Sequence, residues 1–232
     1  MDEFEKTLTG QQAVIEAERC LYCYDAPCQN ACPAHVPIPE FILSVRTGNL
    51  HGARVLLQSA HPLIETCGRI CPEEGFCQSV CTRAKIDTPV CIRELHRFVT
   101  EATEPADGLV LPPTVSGTVA VVGGGPAGLA CMRELRCLGF TCDLFEQRSV
   151  GGVPAQEVSR IRYPRVVEER ETRHLTSLFA SHVYPERVTD IVALRGRYDA
   201  VFVATGLALE AELKINGIEL AGVWHARDLL RK

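Results

Sequence analysis

The sequence contains no apolar run approaching the roughly 18 residues that a membrane-crossing helix requires, so no membrane span is expected. It carries no positive excess. Its 24 Lys and Arg face 29 Asp and Glu, a formal charge of −5, and nucleic acid is not an expected partner. The opening MDEFEKTLTG is acidic and lacks an apolar stretch, so no secretory leader is expected and the expected compartment is the cytoplasm. Disulfides are rare there, which directs the cysteines toward metal or redox use. No internal repeat or low-complexity tract stands out. No Ser-His-Asp or Cys-His arrangement can be assigned from spacing, and no catalytic acid or base is expected.

Cysteine, by contrast, is abundant: the chain has 12 in 232 residues. Eight of them form two tight runs, Cys20-x2-Cys23-x4-Cys28-x3-Cys32-Pro33 and Cys67-x3-Cys71-Pro72-x4-Cys77-x3-Cys81. Short spacings with Pro directly after a Cys are how bacterial ferredoxins wrap a [4Fe-4S] cluster. Structural zinc sites instead favour short Cys pairs separated by longer stretches, and zinc is the alternative here. Spacing alone sorts the eight into two symmetrical sets of four.

Composition changes near residue 105. Residues 1–105 read as a helical domain, with helical patterns over Gln11–Leu21, Glu40–Arg46, Gly52–Ala60 and Cys91–Thr103 joined by cysteine-bearing loops. Residues 106–116, rich in Pro and Gly, read as a linker. Residues 117–232 open with an apolar strand at 118–122, a Gly-rich turn, a helix from Ala127 to Leu138 and a second strand at 141–145. The expected fold is therefore a helical two-cluster domain followed by a partial Rossmann-type FAD-binding domain. Cys131, Cys137 and Cys142 fall in its helix and strand and read as core.

The Gly-rich turn is Gly123-x-Gly125-x-x-Gly128. It follows a strand, opens a helix, and has an acidic residue, Glu146, 23 positions after Gly123. Gly123 suits the tight turn, Gly125 the close approach of a pyrophosphate, and Gly128 the packing of helix on strand. The helix N-terminus would hold the phosphates and Glu146 a ribose. Pro126-Ala127 within the turn points to FAD rather than NAD. A further strand and turn, Asp199 to Thr205-Gly206, fits the same kind of domain.

Together these motifs resemble the iron–sulfur flavoprotein family of the glutamate synthase small subunit and the N-terminal part of dihydropyrimidine dehydrogenase. The resemblance rests on Glu16-Ala17-Glu18-Arg19-Cys20-Leu21-x-Cys23, Ala26-Pro27-Cys28-x-x-Ala31-Cys32-Pro33 and Ile38-Pro39-x-Phe41-Ile42. It continues through Cys67-Gly68-Arg69-Ile70-Cys71-Pro72, Gly123 to Leu129 and Ala204-Thr205-Gly206. It implies crossed ligation, as in two-cluster ferredoxins. One [4Fe-4S] cluster would take Cys20, Cys23, Cys28 and Cys81. The other would take Cys32, Cys71, Cys77 and a non-thiolate ligand, for which the matching position is His96. Spacing alone favours Cys67 as that eighth ligand, and Cys91 is a further alternative. The resemblance also implies FAD, with Gly152 near the flavin, although Val153-Pro154-Ala155 and Arg162-Tyr163-Pro164 depart from the family's pattern.

Relatives in that family carry an inserted NAD(P)H domain. No second Gly-rich fingerprint follows Gly206, so the resemblance is expected to stop short of it. The expected function is an electron-transfer subunit of a larger oxidoreductase, passing electrons through two [4Fe-4S] clusters and FAD between partner redox sites. The expected partners are other redox subunits, including one that reacts with NAD(P)H or ferredoxin. The alternatives are a cluster-only wire or docking subunit, a stand-alone NAD(P)H-dependent oxidoreductase, and a zinc-bound adaptor.

Overall fold

The computed structural model of the chain describes residues 6–105, 111–115, 117–207 and 214–231. It divides into two compact units, Met1–Val110 and Leu111–Lys232. Most of the expected linker, residues 106–110 and 116, lies outside the described residues.

The first unit is helical. Helix α1, Gly10–Glu18, starts at a capping box in which Thr9 and Gln12 satisfy each other's backbone N–H. It ends before Cys20, which leaves Cys20 and Cys23 on a loop. Helix α2 is the short Pro27–Ala31. Helix α3, Ile38–Arg46, buries Ile38, Phe41, Ile42 and Val45, the spacing of one helical face. Asn49 caps α4, Leu50–Ala60, by accepting a hydrogen bond from the Gly52 N–H at 2.9 Å.

Helix α5, Ile64–Ile70, was not foreseen in the sequence. It places Cys67 on a helix, with Cys71 at its C-terminal cap. Helix α6, Ile92–Ala102, lies against it. Gly68 permits that approach, because a Cβ there would stand 3.1 Å from the Arg97 Cα. Arg54 ties α4, α5 and α6 together from a buried position. Its guanidinium donates to Glu65 at 3.0 Å and to the Thr100 and Thr103 carbonyls at 3.2 and 2.7 Å. The core gathers Phe41, Ile42, Leu57, Ile64, Leu95 and Val99, with Cys77 inside it and Cys20, Cys28, Cys32 and Cys81 packed on its edge. Each fully buried Leu or Ile there contributes about 2 kcal/mol.

The second unit is a parallel α/β sheet. Strand β1 is Thr118–Val122, helix α7 Pro126–Cys137 and strand β2 Thr141–Phe145. Helices α8, Gly152–Glu157, and α9, Arg165–Phe179, follow. Then come β3, His182–Tyr184; α10, Ile191–Arg195; β4, Ala200–Val203; and α11, Ala226–Leu230. The strands lie in the order β3-β2-β1-β4, all parallel, with Val121 beside Leu144 on one side and Phe202 on the other. Val119, Ala120, Val121 and Val122 are all buried, which explains why β1 reads as an unbroken apolar run. Among the described residues, no helix is long and apolar enough to cross a membrane.

Candidate iron–sulfur centres and dinucleotide cleft

Cys20, Cys23, Cys28 and Cys81 line one hollow, together with Pro27, Ile38, Ile42, Val90 and Ile92. Cys20 interacts electrostatically with Cys81 and Cys23, and Cys28 with Cys20 and Cys81. Burial pushes the Cys20 thiol up and the Cys28 thiol up to about 11. The Tyr22 and Gln29 N–H groups oppose that shift by pointing at the two sulfurs. The loop pays in backbone strain: Tyr22 and Ala26 hold φ values of 51° and 36°, a region non-glycine residues rarely occupy. Such strain concentrates where a chain is bent around a ligand.

Cys32, Cys71 and Cys77 form a second group. Cys71 lies beside Cys32, and Cys77 beside Cys71 and Cys32. Cys77 also senses Cys28, so the two groups adjoin. Burial pushes Cys77 up to about 12, helped by Glu73; at Cys71 the same burial is opposed by Arg93. Buried thiols of this kind lose their protons to a bound metal, whose charge offsets the cost of the thiolates. Among the described residues, no three Cys, His, Asp or Glu side chains converge to hold a single metal ion.

His96 lies inside α6, 7% exposed, between the rings of Phe41 and His61 at 6.2 and 6.1 Å. Burial, then His61, lowers its pKa to about 3, so the ring is neutral. One ring nitrogen bonds the Ile64 backbone at the start of α5, and the buried Nε2 has no hydrogen-bond partner. A neutral imidazole fixed through one nitrogen and unpaired at the other has the form of a metal-ligating histidine. Cys91 is placed differently. Its N–H donates to Glu16 at 2.8 Å, and its thiol, pushed up to about 11 by burial, is surrounded by Glu16, Glu94 and Glu73.

In the second unit, Gly123, Gly125, Pro126, Ala127, Glu146, Gly152, Thr205 and Gly206 line one cleft of about 530 Å³. Gly128 does not border it. A Cβ at Gly128 would overlap the Gly123 carbonyl, so this residue works by letting α7 press on the turn. Gly123 itself has φ +108° and abuts the Ala204 carbonyl. Glu146 directly follows β2 and is nearly buried. Its two oxygens accept the Gly124 and Arg148 N–H groups at 2.7 and 2.8 Å, which fixes the carboxylate under the turn. Arg148 and Arg187 also border the cleft and were missed in the sequence, where nothing distinguishes them from surface arginines.

Residues 1–107 match the family described as dihydropyrimidine dehydrogenase domain II, 4Fe-4S cluster, and residues 121–192 match an NAD(P)-binding Rossmann-like domain. By these matches the chain pairs a domain of that iron–sulfur family with a Rossmann-like domain. Its first unit is thus a [4Fe-4S] domain of this family and its second a Rossmann-like domain. The chain is 32% identical to the NAD-dependent dihydropyrimidine dehydrogenase subunit PreT of Escherichia coli K12, covering 100% of this chain and 57% of PreT. It is 29% identical to the NADPH-Fe(3+) oxidoreductase subunit beta of Geobacter sulfurreducens, covering 93% of this chain and 33% of that protein. The chain therefore spans little more than half the length of one relative and a third of the other.

Proposed function

We propose that this chain is an electron-transfer subunit of a larger oxidoreductase. Two [4Fe-4S] clusters sit in its first unit and FAD in its second. The observation that carries this reading is the sorting of the cysteines, with Cys81 beside Cys20, Cys23 and Cys28, and Cys32 beside Cys71 and Cys77. The first set would hold one cluster. Cys32, Cys71, Cys77 and His96 would hold the other, with the unpartnered Nε2 of His96 as the fourth donor. Neutral imidazole in place of thiolate makes that cluster less negative and raises its potential, as in Rieske centres.

A bound flavin exchanges one or two electrons and so joins hydride chemistry to a one-electron chain. In the cleft, the α7 N-terminus faces the place of a pyrophosphate, and the fixed Glu146 carboxylate accepts ribose hydroxyls. Gly152 and Thr205-Gly206 border the remaining length. The names of the relatives, subunits of an NAD-dependent dehydrogenase and of an NADPH-Fe(3+) oxidoreductase, support a subunit role, and the proposal adds NAD(P)H- or ferredoxin-reactive partners and a cytoplasmic setting. NAD(P) is the competing occupant of the cleft, because the family matched by residues 121–192 is described as NAD(P)-binding. Anaerobic purification with iron, acid-labile sulfide and extracted flavin counted per chain tests the reading. About eight iron, about eight sulfide and about one flavin are expected from two cubane clusters and one FAD. Zinc in place of iron would overturn it. Iron without flavin would leave a cluster-only wire.

A further inference from the structure

Three arginines border the cleft of the second unit. Arg231 is held in an ion pair with Glu157 at 2.5 Å. Arg148 donates to the Gln156 side chain at 3.5 Å. Arg187 is exposed and, among the described residues, has no hydrogen bond or ion pair. Glu186 beside it also borders the cleft, and among the described residues its carboxylate is likewise unpaired. A guanidinium that covers no carboxylate of its own is available to a ligand.

The fold determines which part of a ligand Arg187 meets. The strands lie in the order β3-β2-β1-β4, with the Gly-rich turn after β1 and Glu146 directly after β2. The Glu146 N–H donates to the Tyr184 carbonyl at 3.0 Å, so β2 and β3 end at one level. The Glu186 N–H turns back to the same carbonyl at 2.9 Å, and the chain then brings Arg187 and Val188 to the cleft. A dinucleotide with its phosphates at the β1 turn and its ribose at Glu146 carries its base on toward β3. Two strand spacings, about 10 Å, separate β3 from β1, so Arg187 approaches from the base end. Half-buried Val188, packed on the core beside Phe145, offers an apolar contact to a flat ring. A guanidinium stacks on the face of such a ring. Glu146 and Glu186 disfavour a further anion there, so a neutral base fits better than a 2′-phosphate.

We propose that Arg187 is the residue that reads the adenine of the bound dinucleotide, with its guanidinium stacked on the base. The proposal rests on the reading of this cleft as a dinucleotide site. It adds the side chain that sets the preference for adenine-bearing cofactors over FMN.

The test uses the full chain with its clusters, stripped of flavin and titrated with FAD, with FMN, and with AMP as a competitor of FAD. Arg187→Ala is expected to weaken FAD and AMP about tenfold, and FMN, which has no adenine, less than twofold. Arg195→Ala, at an exposed arginine of α10 that does not line the cleft, should leave all three unchanged. Arg187→Gln repeats the measurement if thermal unfolding shows Arg187→Ala to be poorly folded. Unchanged FAD and AMP affinity in folded Arg187 variants, or an equal loss for FMN, would overturn the adenine contact alone. So would adenosine 2′,5′-bisphosphate binding the wild type more tightly than AMP and losing that advantage in Arg187→Ala, which would give Arg187 to a 2′-phosphate. A wild-type cleft that binds AMP through Arg187 but does not bind FAD would overturn the flavin reading and support the adenine contact. A cleft that binds neither would overturn both.

Discussion

Cys81 shares its hollow with Cys20, from the far end of the cysteine-bearing region, while Cys77, only four residues before it, lies beside Cys71 and Cys32. A cluster in that hollow would close a long chain loop and couple α1, α2 and the segment after α5 into one folding unit. Metal removal therefore has a predictable target. Chelation under oxidising conditions should strip hydrogen-exchange protection from residues 19–35 and 71–91. It should leave β1, β2 and α7 protected, because their parallel sheet has its own core.

His96→Ala is expected to cost the second centre its fourth donor. Iron should fall by up to about half, since one cluster of two depends on it, and the remaining signal should belong to the Cys20–Cys81 set. His96→Cys should retain iron and lower the potential of that centre, because a thiolate adds about one negative charge. Redox titration followed by electron paramagnetic resonance reads both. Unchanged iron, signal and potential in His96→Ala would transfer the role to Cys67 or Cys91.

The same residue gives the metal-free chain a pH dependence. The folded pKa of His96, about 3, is below the usual value of about 6.5 for an unfolded histidine. Between these values the unfolded state binds the extra proton, so stability rises with pH. The contribution is complete above about 6.5 and is lost as pH falls toward 3. His96→Gln should flatten that slope in denaturant unfolding of the metal-free chain. Asp87 acts in the same direction at lower pH. Arg83 and Arg19 hold its carboxyl below the usual range, so its pairing is lost only in strong acid.

Two glycines of the turn separate folding from binding. At Gly125 an added Cβ meets nothing nearer than the Gly152 Cα at 3.7 Å. Gly125→Ala should therefore cost less than about 1 kcal/mol of stability, the scale of an N-cap change, yet abolish flavin retention by blocking the pyrophosphate. At Gly128 the same methyl overlaps the Gly123 carbonyl. Gly128→Ala should cost about 1–3 kcal/mol, with iron content unaffected in the first unit. Thermal unfolding and extracted flavin distinguish the two.

The legible parts of the chain were those with a short-range physical signature. The Gly123 turn between an apolar strand and a helix is one, and the stop of α3 before Gly48 and Asn49 is another. Helix α5 was not legible, because Cys67, Gly68, Cys71 and Pro72 mimic a ligand loop, while its packing on α6 through Gly68 and the Arg54–Glu65 pair are tertiary contacts. The end of α1 at Glu18 was overrun for a related reason: Cys20 and Leu21 continue a helical pattern, but the chain leaves it to form the hollow. The bond between His96 and the Ile64 backbone leaves no mark in sequence, since any residue at 64 offers the same carbonyl. The proximity of Cys81 to Cys20 is a tertiary fact that the symmetrical spacing conceals.

The most direct measurement is the cluster content and paramagnetic signals of Cys81→Ala beside Cys77→Ala, each purified anaerobically. Crossed ligation predicts that Cys81→Ala loses the same signal as Cys20→Ala and retains the other, while Cys77→Ala loses the signal that Cys32→Ala loses. If Cys81→Ala and Cys77→Ala instead extinguish one and the same signal, with Cys32→Ala grouped with Cys20→Ala, the cysteines work as two consecutive sets of four and the proposed ligation is wrong.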